Sequence, residues 1–161
     1  ITPADILKAR RILRNNKVKM MRLPDGKKGY VAMIPVDVAN DLMQTTDWRE
    51  SQIRNNTENY MEGIIGMMYG IYFVEVDTPV VYPAAGAAGI DVWGTIFLGE
   101  GAFAVPDIEG SSKPEIIVHT AGSGGTNDPL NQFNTVAWKS AFAVVRLQEL
   151  AILRYESAAT V

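Results

Sequence analysis

The stretch from His119 to Pro129, HTAGSGGTNDP, holds the residues best suited to chemistry. A glycine-rich turn after an apolar run can wrap backbone amides around a phosphate, and the chain's single histidine stands at its mouth. The spacing argues against a phosphate site. A P-loop carries Lys and Ser/Thr directly after its last glycine, whereas Gly125 is followed by Thr126, Asn127, Asp128 and Pro129. Pro129 also delays any helix whose N-terminus would hold an anion. Gly122-Ser123-Gly124 lacks the third glycine of the dinucleotide fingerprint. As a general base His119 needs an orienting acid, and no nearby pattern supplies one. The expectation is a flexible loop leaving a strand that ends near His119.

The other candidates are weaker. Acidic pairs occur at Asp37/Asp41, Asp47/Glu50, Glu58/Glu62 and Asp107/Glu109. The first and third have the spacing that shares a helix face. None has the alternating oxygen ligands, glycine and closing Glu of a calcium loop. Solvated acids are the simplest reading, and a glycosidase-type carboxylate pair stays open. Asn55-Asn56-Thr57 has the form of a glycosylation sequon, read here as chance. Tyr69, Tyr72 and Phe73 have faces that can stack on bases, but they sit in an apolar run without interleaved basic residues, which points to core packing. Cysteine is absent, which removes disulfides and thiolate chemistry, and one histidine excludes a multi-histidine metal site within one chain. Catalytic residues, cofactor and metal are therefore all expected to be none. A net charge of -3 gives no basic excess that calls for direct grip on nucleic acid.

These residues need elements to position them. The 161 residues suffice for one domain with a real core. Thr2 caps a helix with Pro3 at its first position and Asp5 where a capping box wants an acid. Ile6, Leu7, Ala9, Ile12 and Leu13 form its apolar stripe, and Asn15-Asn16 ends it. Lys8, Arg10, Arg11 and Arg14 are read as its solvated face. Pro24-Asp25-Gly26 signals a turn. Tyr30–Ile34 reads as a buried strand, followed by a short helix with Val38, Ala39 and Leu42 on one side. Residues 45–60 read as loop with a helical turn, anchored by Trp48. Ile71–Val76 is a strand, with Gly66 and Gly70 admitting a turn before it. Residues 78–93 read as a surface loop. Thr95–Leu98, a Gly-Glu-Gly turn, an apolar run from Ala102 to Val105, and a strand ending at His119 follow. From Thr135 to Val161, helix propensity and strand pattern compete. No stretch approaches the ~18–20 apolar residues of a membrane helix, so no membrane partner is expected. Ile1 replaces the usual Met, and the chain is read as a fragment, a processed product or an ordered remainder.

The order of segments carries more than any single motif. ADILKARRILRNNKV, GYVAMIPVDVANDL, GMMYGIYFVEV, TIFLGEGAFAV and NTVAWKSAFAVVRLQELAILRYESA occur in that order. Together they resemble the C-terminal half of tailed-phage major capsid proteins, in the N4-like branch of the Hong Kong 97-type fold. The markers are Tyr30–Pro35 followed by Asp37, the Gly70–Glu75 strand, and Val136–Lys139 with Leu150–Ile152. The resemblance implies an α+β fold: an axial domain with a central mixed sheet flanked by helices, and a final long strand leading toward the peripheral domain. It implies that residues 1–150 are axial and that 151–161 end the closing strand. The family's N-terminal arm, extended loop and spine helix would lie before Ile1. The implied function is structural and not enzymatic: a major capsid subunit of a bacteriophage or prophage, in the virion capsid, made in the bacterial host cytoplasm. Its partners would be other copies of itself in capsomers and packaged DNA only indirectly, with the fragment alone monomeric or weakly associated. The competing reading is a small ligand-binding or hydrolytic α+β domain that uses the loop from His119 to Asp128.

Overall fold

The computed structural model describes residues 1–23, 26–55, 64–107, 113–123, 130 and 132–160. The chain divides into two compact units, one of residues 1–102 with 147–161 and one of residues 103–146. The division falls inside the stretch 1–150 that the sequence suggests as a single unit.

The first unit is a mixed sheet with three helices. Its elements are α1 (Pro3–Asn15), β1 (Met21–Arg22), β2 (Lys28–Pro35), α2 (Val36–Met43), α3 (Thr46–Asn55), β3 (Ile64–Met68), β4 (Ile71–Val76), β5 (Val80–Tyr82) and β6 (Val92–Leu98). After the second unit's β7 (Phe103–Ala104), β8 (Glu115–His119), β9 (Thr135–Lys139) and β10 (Val145–Arg146), the chain returns through β11 (Ile152–Ser157). The main order across the sheet is β11-β6-β2-β4-β3, with β1 on β2 and β5 on β6. Only β2 and β4 run parallel, joined by the α2–α3 crossover, and the other pairings are antiparallel.

Alternation decides which side of the sheet is covered. Tyr30, Ala32 and Ile34 of β2 share one face and are fully buried. They join Ile71 and Phe73 of β4, Phe97 of β6, Ile6, Ala9 and Leu13 of α1, and Val38, Ala39 and Leu42 of α2 in one core. Leu7 and Ile12 of α1, expected in its stripe, are exposed, so the helix buries a narrower face than its apolar residues suggest.

The α1 capping box forms as expected. Asp5 Oδ2 accepts from the Thr2 amide (3.1 Å) and the Thr2 hydroxyl (2.6 Å). The Thr2 hydroxyl holds the Asp5 carboxyl well below the usual carboxylate range. Partial burial opposes this, and Tyr155, the Thr2 amide and Lys8 reinforce it. Tyr155 is pushed up to about 12 by burial, then by its hydrogen bond to Asp5 and that carboxylate's charge. A depressed acid stabilises the fold above its unfolded pKa and loses that contribution as pH falls through its folded value. Asp5→Asn is therefore expected to lower Tm at neutral pH. Melting at stepwise lower pH should show the gap to the parent narrowing below about pH 4.

The far end of α1 closes in a Schellman arrangement. Lys17 N donates to Arg14 O (3.0 Å) and Val18 N to Leu13 O (3.1 Å). Lys17 occupies the left-handed position there, φ 55°, where glycine is favoured. Lys17→Gly is expected to raise stability by about 0.5–1 kcal/mol, read by urea titration.

Several stretches depart from expectation. Residues 46–55 are a full helix because Thr45 caps it, its Oγ1 accepting from Trp48 N at 3.4 Å, and because Trp48 is buried against Phe73. The turn before β4 belongs to a hairpin. Tyr69 and Gly70, φ 52° and 77°, form its two-residue turn, while Gly66 sits inside β3 at a shift of register. The expected surface loop of residues 78–93 begins with a real strand, since Val80–Tyr82 pairs along β6. The Ala102–Val105 run gives only the two-residue β7, paired with β10.

The long closing strand does not form as one element. Residues 135–157 break into β9, β10, a 3₁₀ turn at Glu149–Ala151, and β11. An unbroken strand of that length would span roughly 75 Å at ~3.3 Å per residue. Its available partners are the five-residue β8, the two-residue β7 and the seven-residue β6, so each piece pairs separately. The turn at Ala151 is fixed by the Gly99 amide donating to Ala151 O at 2.9 Å.

Candidate functional site

The glycine-rich loop connects β8 to β9, two strands of an antiparallel hairpin. Among the described residues the connection holds no helix of the kind a phosphate would need. Residues 124–129 lie outside the described residues. In the described part, Ala121 N donates to Asn134 Oδ1 (2.7 Å), and the Ser123 amide and hydroxyl both donate to Thr120 O (2.9 and 2.6 Å). The polar groups of this described part thus pair within the hairpin. His119 is a strand residue, as expected, and it is exposed opposite Thr135.

Among the described residues the acidic pairs do not converge. Asp37 and Asp41 lie one turn apart on α2, where Asp37 is exposed and Asp41 Oδ2 accepts from Thr160 N at 2.7 Å. Asp47 and Glu50 are exposed on α3. Glu58/Glu62, Glu109 and the sequon's Asn56-Thr57 lie outside the described residues. Among the described residues, no three His, Cys, Asp or Glu side chains group as metal ligands, and no helix is long and apolar enough to cross a membrane. Tyr72 and Phe73 are buried, as their apolar setting suggested, while Tyr69 is at the hairpin turn.

The feature that sequence reading missed is the surface of the β8–β9 ribbon. The register pairs Ile116 with Trp138 and Val118 with Val136, and alternation places these four on one face. All four are between 60% and 75% exposed. The other face carries the Glu115–Lys139 ion pair (2.9 Å), Ile117 with Ala137, and His119 with Thr135. A two-stranded ribbon is only marginally stable alone, and a contiguous exposed apolar face marks a contact surface. The signal was present in the alternation of both segments. A continuous apolar run such as Ile116–Val118 reads equally well as a strand buried on both sides, and only the tertiary structure shows Ile116 and Val118 exposed.

Matching to solved structures identifies the architecture. The chain is similar to the capsid of Ralstonia phage GP4, with a TM-score of 0.72 at 12% identity over 99% of this chain and 47% of that one. The cyanophage Pam1 capsid subunit gives 0.70 at 14% identity over 98% of this chain and 47% of that one. The chain has a phage capsid fold. This bears out the Hong Kong 97-type α+β capsid fold expected from segment order, with its central mixed sheet flanked by helices. The chain spans about half the length of these capsid chains. No protein-family model matches it. No curated protein matches it.

Nothing in the described geometry brings a nucleophile, base and acid together.

Proposed function

We propose that the chain is the axial, C-terminal part of a major capsid subunit of an N4-like tailed phage or prophage. Residues 1–150 are then the axial-type part, and 151–161 the stretch leading toward the peripheral domain. Its work is structural: copies repeat around capsomers to form the shell enclosing DNA, which the chain meets only indirectly. Synthesis takes place in the host cytoplasm, and the parts that lace subunits together belong to the remainder of the full subunit. Taken alone, the chain is monomeric or weakly associated.

The observation that carries the reading is agreement over 99% of the chain with a phage capsid subunit at a TM-score of 0.72. The strand–proline–helix unit at Tyr30–Asp37 and the strand at Ile71–Val76 are both formed. A shell subunit acts through many copies of modest contacts set by symmetry, which suits a chain with an open apolar ribbon. The test is mass spectrometry and size analysis of the intact gene product beside this chain. Shells or rings whose peptides include this sequence support the proposal, and a product that never exceeds a monomer contradicts it. His119→Ala is expected to leave shell yield unchanged, because His119 is an exposed hairpin residue.

A further inference from the structure

We propose that a basic cleft at one end of the central sheet receives the acidic end of a second copy of this chain, head to tail. The inference rests on the capsid reading in one respect, that copies of the chain meet repeatedly. Arg14, Lys17, Lys19, Arg22 and Lys28, with Glu100, line a cleft of about 670 Å³ between the end of α1 and the β1–β2 pair. All five cations are exposed, and none makes an ion pair among the described residues.

Three observations make the cleft more than a solvated edge. First, Arg22 and Lys28 stand directly opposite in the β1–β2 register, an arrangement that costs stability unless an anion lies between them. Second, Lys17 holds the left-handed position where glycine would be more stable, so a cation stands there against the local backbone preference. Third, the charge is segregated. Residues 1–28 hold nine of the fifteen Lys and Arg but two of the eighteen Asp and Glu, on a chain of net charge -3. Whole-chain charge hides this polarity.

The complementary pole lies on the same unit. Asp37 and Asp41 follow the C-terminal end of β2, and the pairing of Pro35 with Val76 brings Glu75 and Asp77 to that same sheet end. Asp37 and Asp77 are exposed, and Asp41 and Glu75 are partly so. Eight residues of β2 separate this pole from Lys28, about 23 Å at ~3.3 Å per residue. A dipolar unit with opposite charges at the two ends of one strand favours heterologous contacts, which close into rings when the rotation permits. Glu100 at the cleft gives that contact a register, because the incoming acids must seat around it. A nucleic-acid backbone is uniformly anionic and meets the acidic remainder of the chain, which holds sixteen of the eighteen Asp and Glu, whereas a second copy offers its few acids at one pole, so a second copy is the favoured occupant.

The test is a charge swap on this chain, read by sedimentation equilibrium with circular dichroism confirming the fold. Lys19→Glu/Arg22→Glu gives a chain acidic at both ends, and Asp37→Lys/Asp77→Lys gives one basic at both. Each alone is expected to associate at least about tenfold more weakly than the parent, and their equimolar mixture to recover association. Parent association is expected to fall at least about tenfold from about 10 mM to about 1 M salt, as the screening length drops from ~30 to ~3 Å. Association that survives either swap, a mixture that fails to recover, or a parent monomeric at every salt concentration overturns the inference. A short DNA duplex whose binding is lost with Lys19 and Arg22 while self-association is unchanged also overturns it, in favour of a phosphate ligand. Shell formation by the intact product, measured separately, tells a failure of the cleft from a failure of the capsid reading.

Discussion

Phe73→Ala is expected to lose about 3–5 kcal/mol of stability. Phe73 is fully buried in the middle of β4, in parallel register with Ala32 of β2. Trp48 stands edge-on to its ring, with centroids 5.3 Å apart and planes at 78°. The pair ties α3 to the sheet, so truncating Phe73 both opens a cavity and loosens that helix's anchor. Trp48→Ala is expected in the same range. The double variant should fall short of the two losses added, by about 0.5–1.5 kcal/mol, because each single change already removes the ring contact. Against a total stability of about 5–15 kcal/mol, either change brings the fold close to failure. Urea denaturation followed by far-ultraviolet circular dichroism measures all three. A loss below about 1 kcal/mol for Phe73→Ala would mean that α3 packs elsewhere than on β4.

The opposite pattern is expected at the ribbon. Ile116→Ser/Trp138→Ser should change Tm by no more than a few degrees and abolish shell assembly. Both side chains are largely exposed, so little burial is lost within the chain. A tryptophan at the centre of a protein contact commonly contributes at least about 2 kcal/mol, and a symmetric shell repeats that loss at every equivalent contact. Glu115→Gln, on the ribbon's other face, serves as the control and should assemble. Shell yield is read by electron microscopy of the intact gene product. Normal shells from the double variant would remove the ribbon from the assembly contacts.

The legible and illegible parts of this chain differ for physical reasons. The α1 start was readable because its signal is local: Thr2, Pro3 and Asp5 act within one turn. β2 and β4 were readable because short apolar runs rich in β-branched and aromatic residues, bounded by turn signals, mark strands. α3 was missed because its apolar content is little more than Trp48, although Thr45 with Asp47 and Glu50 behind it was a usable start signal. The pieces of the closing segment could not be separated, since their boundaries are set by where β8, β7 and β6 begin and end. The loop from His119 was discounted as a phosphate site by its missing lysine, and the exposed apolar surface lies in the strands beside it. The basic cleft was missed by averaging: Lys8, Arg10, Arg11 and Arg14 were weighed as a helix face, whereas Arg14 joins Lys17, Lys19, Arg22 and Lys28 only after α1 turns back along the sheet.

The most direct test of the capsid role is electron cryo-microscopy of particles formed by the intact gene product. Icosahedral shells are expected in which residues 1–23, 26–55, 64–102 and 147–160 fit the density as a seven-stranded mixed sheet with its helices. Ile116, Val118, Val136 and Trp138 should be covered by a neighbouring copy. A product that forms no shell, or shells whose density has no place for this sheet, would contradict it.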